Sequence, residues 1–92
     1  MPSSAWKPVR KISAISVQNA LAYLNPDDYE VWINAGMALK SSYGDSGYSM
    51  WVDWSRSSNK FKEIEAEKKW QSFNSTGITV GSIIYGARQN GF

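Results

Sequence analysis

Neither cysteine nor histidine occurs among the 92 residues of this chain. The first absence excludes a disulfide framework and thiolate zinc ligation, and the second leaves only carboxylates to build a transition-metal site. Together they leave no histidine to serve as base and no cysteine to serve as nucleophile. There is no glycine-rich phosphate loop ending in Lys-Ser/Thr and no GxSxG turn. The chain is therefore not expected to be an enzyme by itself, and neither a cofactor nor a metal is expected. No apolar run approaches the roughly 18 residues that span a bilayer, and the N-terminus lacks the apolar core of a secretory signal, so cytoplasm is the expected compartment. Charge of one sign is scarce too: ten Lys and Arg against eight Asp and Glu leave a formal +2. That bias is too weak to announce nucleic acid, so local distribution matters more than the sum.

Aromatic residues are plentiful: five Trp, five Tyr and three Phe. Each buried aromatic removes about 150–250 Å² from water, so a handful can stabilise one modest core in a chain this short. The expected fold is all-α, a bundle of about five short helices. Residues 1–12, with Pro2, Pro8, Lys7, Arg10 and Lys11 and no periodicity, form an irregular N-terminal linker or tail, and residues 13–91 form the domain. Such a tail suggests a module of a larger protein; Trp6 either docks on the bundle or stays in the tail.

The segment 25–58 organises the rest. Before it, Ser13 caps a first helix whose Val17, Ala20, Leu21 and Leu24 share a face, with Ile12 and Val17 as a hydrophobic staple. Asn25-Pro26 ends this helix and starts the next, with Asn25 as cap, Asp27 and Asp28 at the positive end of the helix dipole, and Leu24 and Tyr29 as staple. Tyr29, Trp32, Ile33, Gly36, Met37 and Leu39 give a wide apolar face, as in a helix at the middle of a bundle. Gly36 costs about 1 kcal/mol relative to alanine in a helix, so it implies close approach, either by a neighbouring helix or Trp, or by a ligand. Gly44 ends the helix in a left-handed conformation, Asp45 caps the next, and Gly47, Met50, Trp51 and Trp54 line one face of that helix. Such a pair of tryptophans serves either as core or as a base-stacking platform, with core favoured.

Beyond Trp54 the polar stretch from Ser55 to Lys60, with Phe61 as anchor and Lys62 behind it, suits a solvated loop or a phosphate-contacting one. A fourth helix over residues 63–73 has Glu63, Glu65 and Glu67 early and Lys68 and Lys69 late, matching the dipole and allowing a Glu65–Lys69 pair. Its inward face is Ala66, Trp70 and Phe73. After a turn at 74–77, the segment 78–88 suits either a strand or, preferably, a helix capped by Thr79 with Ile83, Ile84 and Ala87 inward and Ile78 stapled to Ile83. The N-terminus of that helix could suit an anion. Asp27 with Asp28, or Asp53 alone, could in principle hold magnesium, although acids at a helix start follow from the dipole alone. The structural core is expected to comprise Trp32, Gly36, Leu39, Trp51, Trp54, Trp70 and Phe73.

Taken together, Asp28-Tyr29-Glu30-Val31-Trp32, Gly36-Met37-Ala38-Leu39-Lys40, Gly44-Asp45-Ser46-Gly47, Trp51 with Asp53-Trp54-Ser55, Ser58, Lys60-Phe61, Lys69-Trp70 with Ser72-Phe73, and Gly77-Ile78-Thr79-Val80-Gly81-Ser82-Ile83 resemble the primase C-terminal domain of the second type. The resemblance covers about residues 13–91 and rests on order and spacing, since each motif is weak alone. Phe61 stands where that family tends to have tyrosine, and Glu63-Ile64 where a proline-containing helix start is common. These departures touch the boundary of the fourth helix.

The family is found behind the catalytic part of phage, plasmid and mobile-element primases and primase-helicases. The resemblance therefore implies a non-catalytic accessory role in DNA replication, helping a primase engage single-stranded template or initiating nucleotide, or positioning it against a helicase. The expected nucleic-acid contacts are Arg56, Lys60, Lys62, Lys68 and Lys69, with Lys40 and Arg88 as contributors. The alternative is a structural or protein-interaction linker between primase and helicase domains that touches no nucleic acid. A DNA-reading helix-turn-helix across Gly44 ranks last, because the helix after the turn carries Trp and Met rather than base-reading polar groups.

Overall fold

A computed structural model describes residues 13–74 and 78–92. The expected tail, with Trp6 and the Ile12 half of the first staple, and the centre of the turn at 74–77 lie outside the described residues. The rest is all-α as expected, with no strand among the described residues: α1 (Ala14–Leu21), α2 (Tyr29–Tyr43), a 3-10 turn (Gly44–Gly47), α3 (Tyr48–Ser55), α4 (Glu63–Ser72) and α5 (Val80–Gln89). Helix α2 lies at the centre and packs on α3, α4 and α5, while α1 packs on α5 and α3.

Ser13 caps α1 by accepting the Ser16 N–H at 3.1 Å, and Val17, Ala20 and Leu21 are buried as their spacing predicts. The helix ends sooner than Asn25-Pro26, however. The chain goes on to Leu24 in tighter turns, with the N–H groups of Ala22, Tyr23 and Leu24 donating to Asn19 O, Ala20 O and Leu21 O at 3.2, 2.9 and 2.9 Å. The carbonyls left over accept from distant donors, Asn90 Nδ2 on Tyr23 O at 2.8 Å and Trp54 Nε1 on Leu24 O at 3.4 Å.

The cap of α2 is Asp28, not Asn25. Asp28 Oδ1 accepts from Val31 N at 3.3 Å, while Asn25 Oδ1 folds its own turn by accepting from Asp27 N at 2.9 Å. Moving the cap by one turn places Tyr29 at the first helical position, 61% exposed, so the expected staple with Leu24 is not its role.

Gly36 has the close approach its cost implied. A Cβ there would sit 2.5 Å from Phe73 Cε2 and 2.8 Å from Trp51 Cε2. The fully buried Trp51 ring stacks on Trp32 at 4.6 Å and meets Phe73 edge-on at 5.4 Å. Its Nε1 donates to Trp32 O at 3.0 Å, and Trp32 Nε1 donates to the buried Ser55 hydroxyl at 2.7 Å. Among the expected core residues, Gly36, Leu39, Trp51, Trp70 and Phe73 are buried. Trp32 and Trp54 are half-buried at its edge, each with its indole N–H on an oxygen. Ala35 and Ala38 join the core unforeseen, since an alanine carries little periodic signal.

Gly44 does adopt a positive φ of 63°, with ψ extended at −145° rather than left-handed helical. Asp45 lies inside the 3-10 turn and does not cap α3, because that turn runs straight into the helix. The terminal segment is helical, and Thr79 Oγ1 caps it by accepting from Gly81 N at 3.3 Å. Since Val80 N also donates to Ser42 Oγ at 3.2 Å, these amides are committed internally and offer little to an anion.

Gly36→Ala gains up to about 1 kcal/mol of helix propensity but drives a methyl into two buried rings, where overpacking costs about 1–3 kcal/mol. A net loss of about 1–2 kcal/mol is expected, read from the urea midpoint. Burial raises the Tyr48 phenol above its ordinary 10.0, with Glu67 and Glu63 adding to the rise and Arg56 partly offsetting it. Above pH 10 the unfolded chain ionises first, so the native state holds more protons and stability falls as pH climbs toward the raised value. Denaturant melts at pH 9 and 11 should show this loss, and Tyr48→Phe should reduce it.

Candidate nucleic-acid interface

Helix α3 stops at Ser55, and the loop that follows is tied down at both ends. The Ser58 hydroxyl donates to Asp27 Oδ1 across the approach to α2, and accepts the Lys60 N–H at 3.0 Å. Arg56 lies on the outer side of the loop, with Nη1 3.4 Å from Asp53, Nη2 3.6 Å from Glu63 and its guanidinium carbon 5.8 Å from the Phe61 ring centre. Those ion pairs are exposed and individually weak, but together they orient the arginine toward acids and an aromatic.

Between this loop, the start of α2 and the outer face of α4 runs a groove. One half, about 200 Å³, is lined by Pro26, Asp27, Tyr29, Trp32, Ser55, Ser58, Lys60, Phe61, Lys62 and Glu65. Its continuation along α4, about 360 Å³, is lined by Tyr29, Trp32, Glu65, Lys68, Lys69 and Ser72. Tyr29, Trp32 and Glu65 belong to both halves and so mark the middle. Lys69 is drawn to this middle too: instead of pairing with Glu65, its Nζ lies 5.9 Å from the Tyr29 ring centre.

Of the expected basic contacts, Lys60, Lys62, Lys68 and Lys69 line the groove. Arg56 stands behind it, supporting Phe61. Lys40 and Arg88 do not join. The Lys40 ammonium donates to Trp70 O at 2.7 Å and lies 5.6 Å from the Trp70 ring centre, which holds α2 to the C-terminal end of α4. Arg88 is on α5, which packs on α1 and α2 and not on α4.

The groove aromatics Tyr29 and Phe61, and the carboxylate of Glu65, were not foreseen as site residues. A signal existed for Tyr29: with two cap residues three positions apart, choosing Asp28 turns the tyrosine outward.

The carboxylates considered for magnesium are engaged elsewhere. Asp28 caps α2, Asp27 takes the Ser58 hydroxyl and Asp53 faces Arg56. Among the described residues no group of three or more metal-ligating side chains gathers. A wider hollow of about 570 Å³ between α1 and α3 is lined by Leu21, Leu24, Met50 and Trp54 among others, and none of the expected bases reaches it. The helix after the glycine turn buries Trp51, Val52 and Ser55, leaving little of a recognition face. Among the described residues no helix is long and apolar enough to cross a membrane.

The fold and groove thus define a small helical module with a lysine-edged aromatic cleft. The family model for the Primase C terminal 2 (PriCT-2) domain matches residues 17–87, and the chain belongs to that family. It is also 30% identical over 67 residues to a protein of Frog virus 3 (isolate Goorha) named "Putative helicase 022R", a match that covers 70% of this chain. The chain spans only 7% of that protein's length. No solved structure matches.

Because the Lys40 hydrogen bond joins α2 to α4 away from the groove, Lys40→Met should lower stability by about 1 kcal/mol, below the ~1.5–3 kcal/mol of a buried charged hydrogen bond because this one is only partly buried. The urea midpoint of the variant should report this loss.

Proposed function

We propose that the chain is a non-catalytic accessory module of a DNA-replication protein of the primase or primase-helicase kind. It engages single-stranded template or an initiating nucleotide through phosphate contacts from Lys60, Lys62, Lys68 and Lys69. The observation that carries this is the convergence of these lysines, from a loop and from α4, on one groove with an aromatic lining. Phosphate binding needs cations at the edges of a channel, and single strands are held by such channels with aromatic surfaces. Priming and unwinding would then be the work of other domains, against which the module is positioned. PriCT-2 membership and the helicase name of the viral relative support this context.

A second reading is a linker between primase and helicase domains that contacts protein alone. Exposed Ile15 and Ile64, each 70% accessible, and Tyr85, 68% accessible, favour it, since they offer apolar contacts on several faces.

Fluorescence anisotropy of the chain with single-stranded DNA at several salt concentrations separates the two. Phosphate contacts predict that log affinity falls linearly with log salt, by about 0.7 per phosphate neutralised on a single strand. Replacing Lys60, Lys62, Lys68 and Lys69 with glutamine should flatten that slope by about 2–3. Binding that ignores salt would overturn the phosphate contacts, and no binding even at low salt would favour the protein linker.

A further inference from the structure

The middle of the groove is chemically unlike its ends. Lys60 and Lys62 line one half and Lys68 and Lys69 the other, whereas the lining shared by both is Tyr29, Trp32 and Glu65, which only the Lys69 ammonium overhangs. A carboxylate there repels phosphate, while an exposed ring offers a flat apolar surface. We propose that the groove takes an unpaired nucleobase stacked on Tyr29, with the flanking phosphates on the lysines to either side. This rests on the single-strand reading above and specifies which part of the nucleotide each residue holds.

Three observations carry it. Tyr29 is 61% exposed although it sits against the bundle, and its ring is held in place by Trp32, whose ring centre is 6.0 Å away. That Trp32 is itself stacked on fully buried Trp51, so the ring beside Tyr29 is anchored in the core, which lowers the cost of ordering the site on binding. The Lys69 ammonium already lies over the Tyr29 ring, a position in which a cation shields a π-face. A base entering there would take its place, and the lysine's flexible stem lets the charge swing to an adjoining phosphate. Finally, Lys62, just before α4, and Lys69, in its last turn, are seven residues apart, a backbone rise of about 10 Å that sets lysines on either side of a single base. A paired base has both faces covered by its neighbours, so the stack requires a single strand.

The test compares the native chain, Tyr29→Phe and Tyr29→Ala in anisotropy titrations with a short single-stranded oligonucleotide, with the same oligonucleotide carrying abasic positions, and with the corresponding duplex. Circular dichroism controls for folding, which an exposed side chain should not disturb. Tyr29→Ala is expected to weaken single-strand binding by about 10-fold or more, as stacking on one aromatic does, and to leave the salt slope as it was. Tyr29→Phe should bind like the native chain, and abasic DNA should bind the native chain and Tyr29→Ala equally weakly. Undiminished affinity of Tyr29→Ala, with the lysine variant still impaired, would overturn the stacking proposal and leave the phosphate reading standing. If the native chain binds no single strand even at low salt, both fall.

Discussion

One indole ring and the glycine that makes room for it hold this domain together. Trp51 is fully buried on α3, stacks on Trp32 of α2, and meets Trp70 of α4 at 5.5 Å and Phe73 just beyond that helix. This convergence is sterically possible because position 36 of α2 carries no Cβ. In a chain of this size, with no disulfide to restrain the unfolded state, a cluster of large aromatics supplies much of the apolar burial a small core needs. Its polar atoms are not stranded. Trp51 and Trp32 give their N–H groups to Trp32 O and to Ser55, and Ser55 donates in turn to Trp51 O at 2.6 Å. The same residues that fill the core thus also fix the register of α3 against α2.

Much of this fold was legible in the sequence because side-chain periodicity and glycine cost are local signals. The inward faces of α1 and α4, the central place of α2, the close packing at Gly36 and the Thr79 cap of α5 are all visible at helical spacing, whereas α3 buries Val52 and Ser55 beside Trp51 and leaves the expected Met50 and Trp54 half-buried. Boundaries were less legible. After Leu21 the chain tightens into three-residue turns, and Trp54 and Asn90, distant in the chain, hold the Leu24 and Tyr23 carbonyls that follow. The start of α2 moved because Asn25 and Asp28 are both competent caps, and Asn25 spends its oxygen on its own turn. The partners beyond the first boundary lie far along the chain, whereas the second is decided between two caps within one short window.

The candidate interface divides along the same line. Lysines close in sequence, from the loop and from α4, do meet on one groove, since a short loop entering a helix keeps them near one another. Lys40 and Arg88 were grouped with them by charge alone. The fold sends one to the Trp70 carbonyl and the other to α5. The aromatic lining was hidden for the opposite reason: Tyr29 belongs to a segment whose spacing pointed inward, and only the shift of the cap by one turn brings it to the groove. Membership in the PriCT-2 family associates the module with primases, while the groove's lysines and rings support the strand-binding role proposed for it.

The stacked pair of Trp32 and Trp51 has an optical consequence. Two indoles 4.6 Å apart and 25° from parallel, one locked in the core and the other lining the groove, should couple their transitions. Fixed aromatic packing of this kind gives a near-ultraviolet circular dichroism signal that disappears when specific packing is lost. Because Trp32 belongs to both the packed cluster and the open cleft, that signal should respond to events at the groove as well as to unfolding. The molecule therefore carries an intrinsic chromophore pair that can report on an occupant without a label.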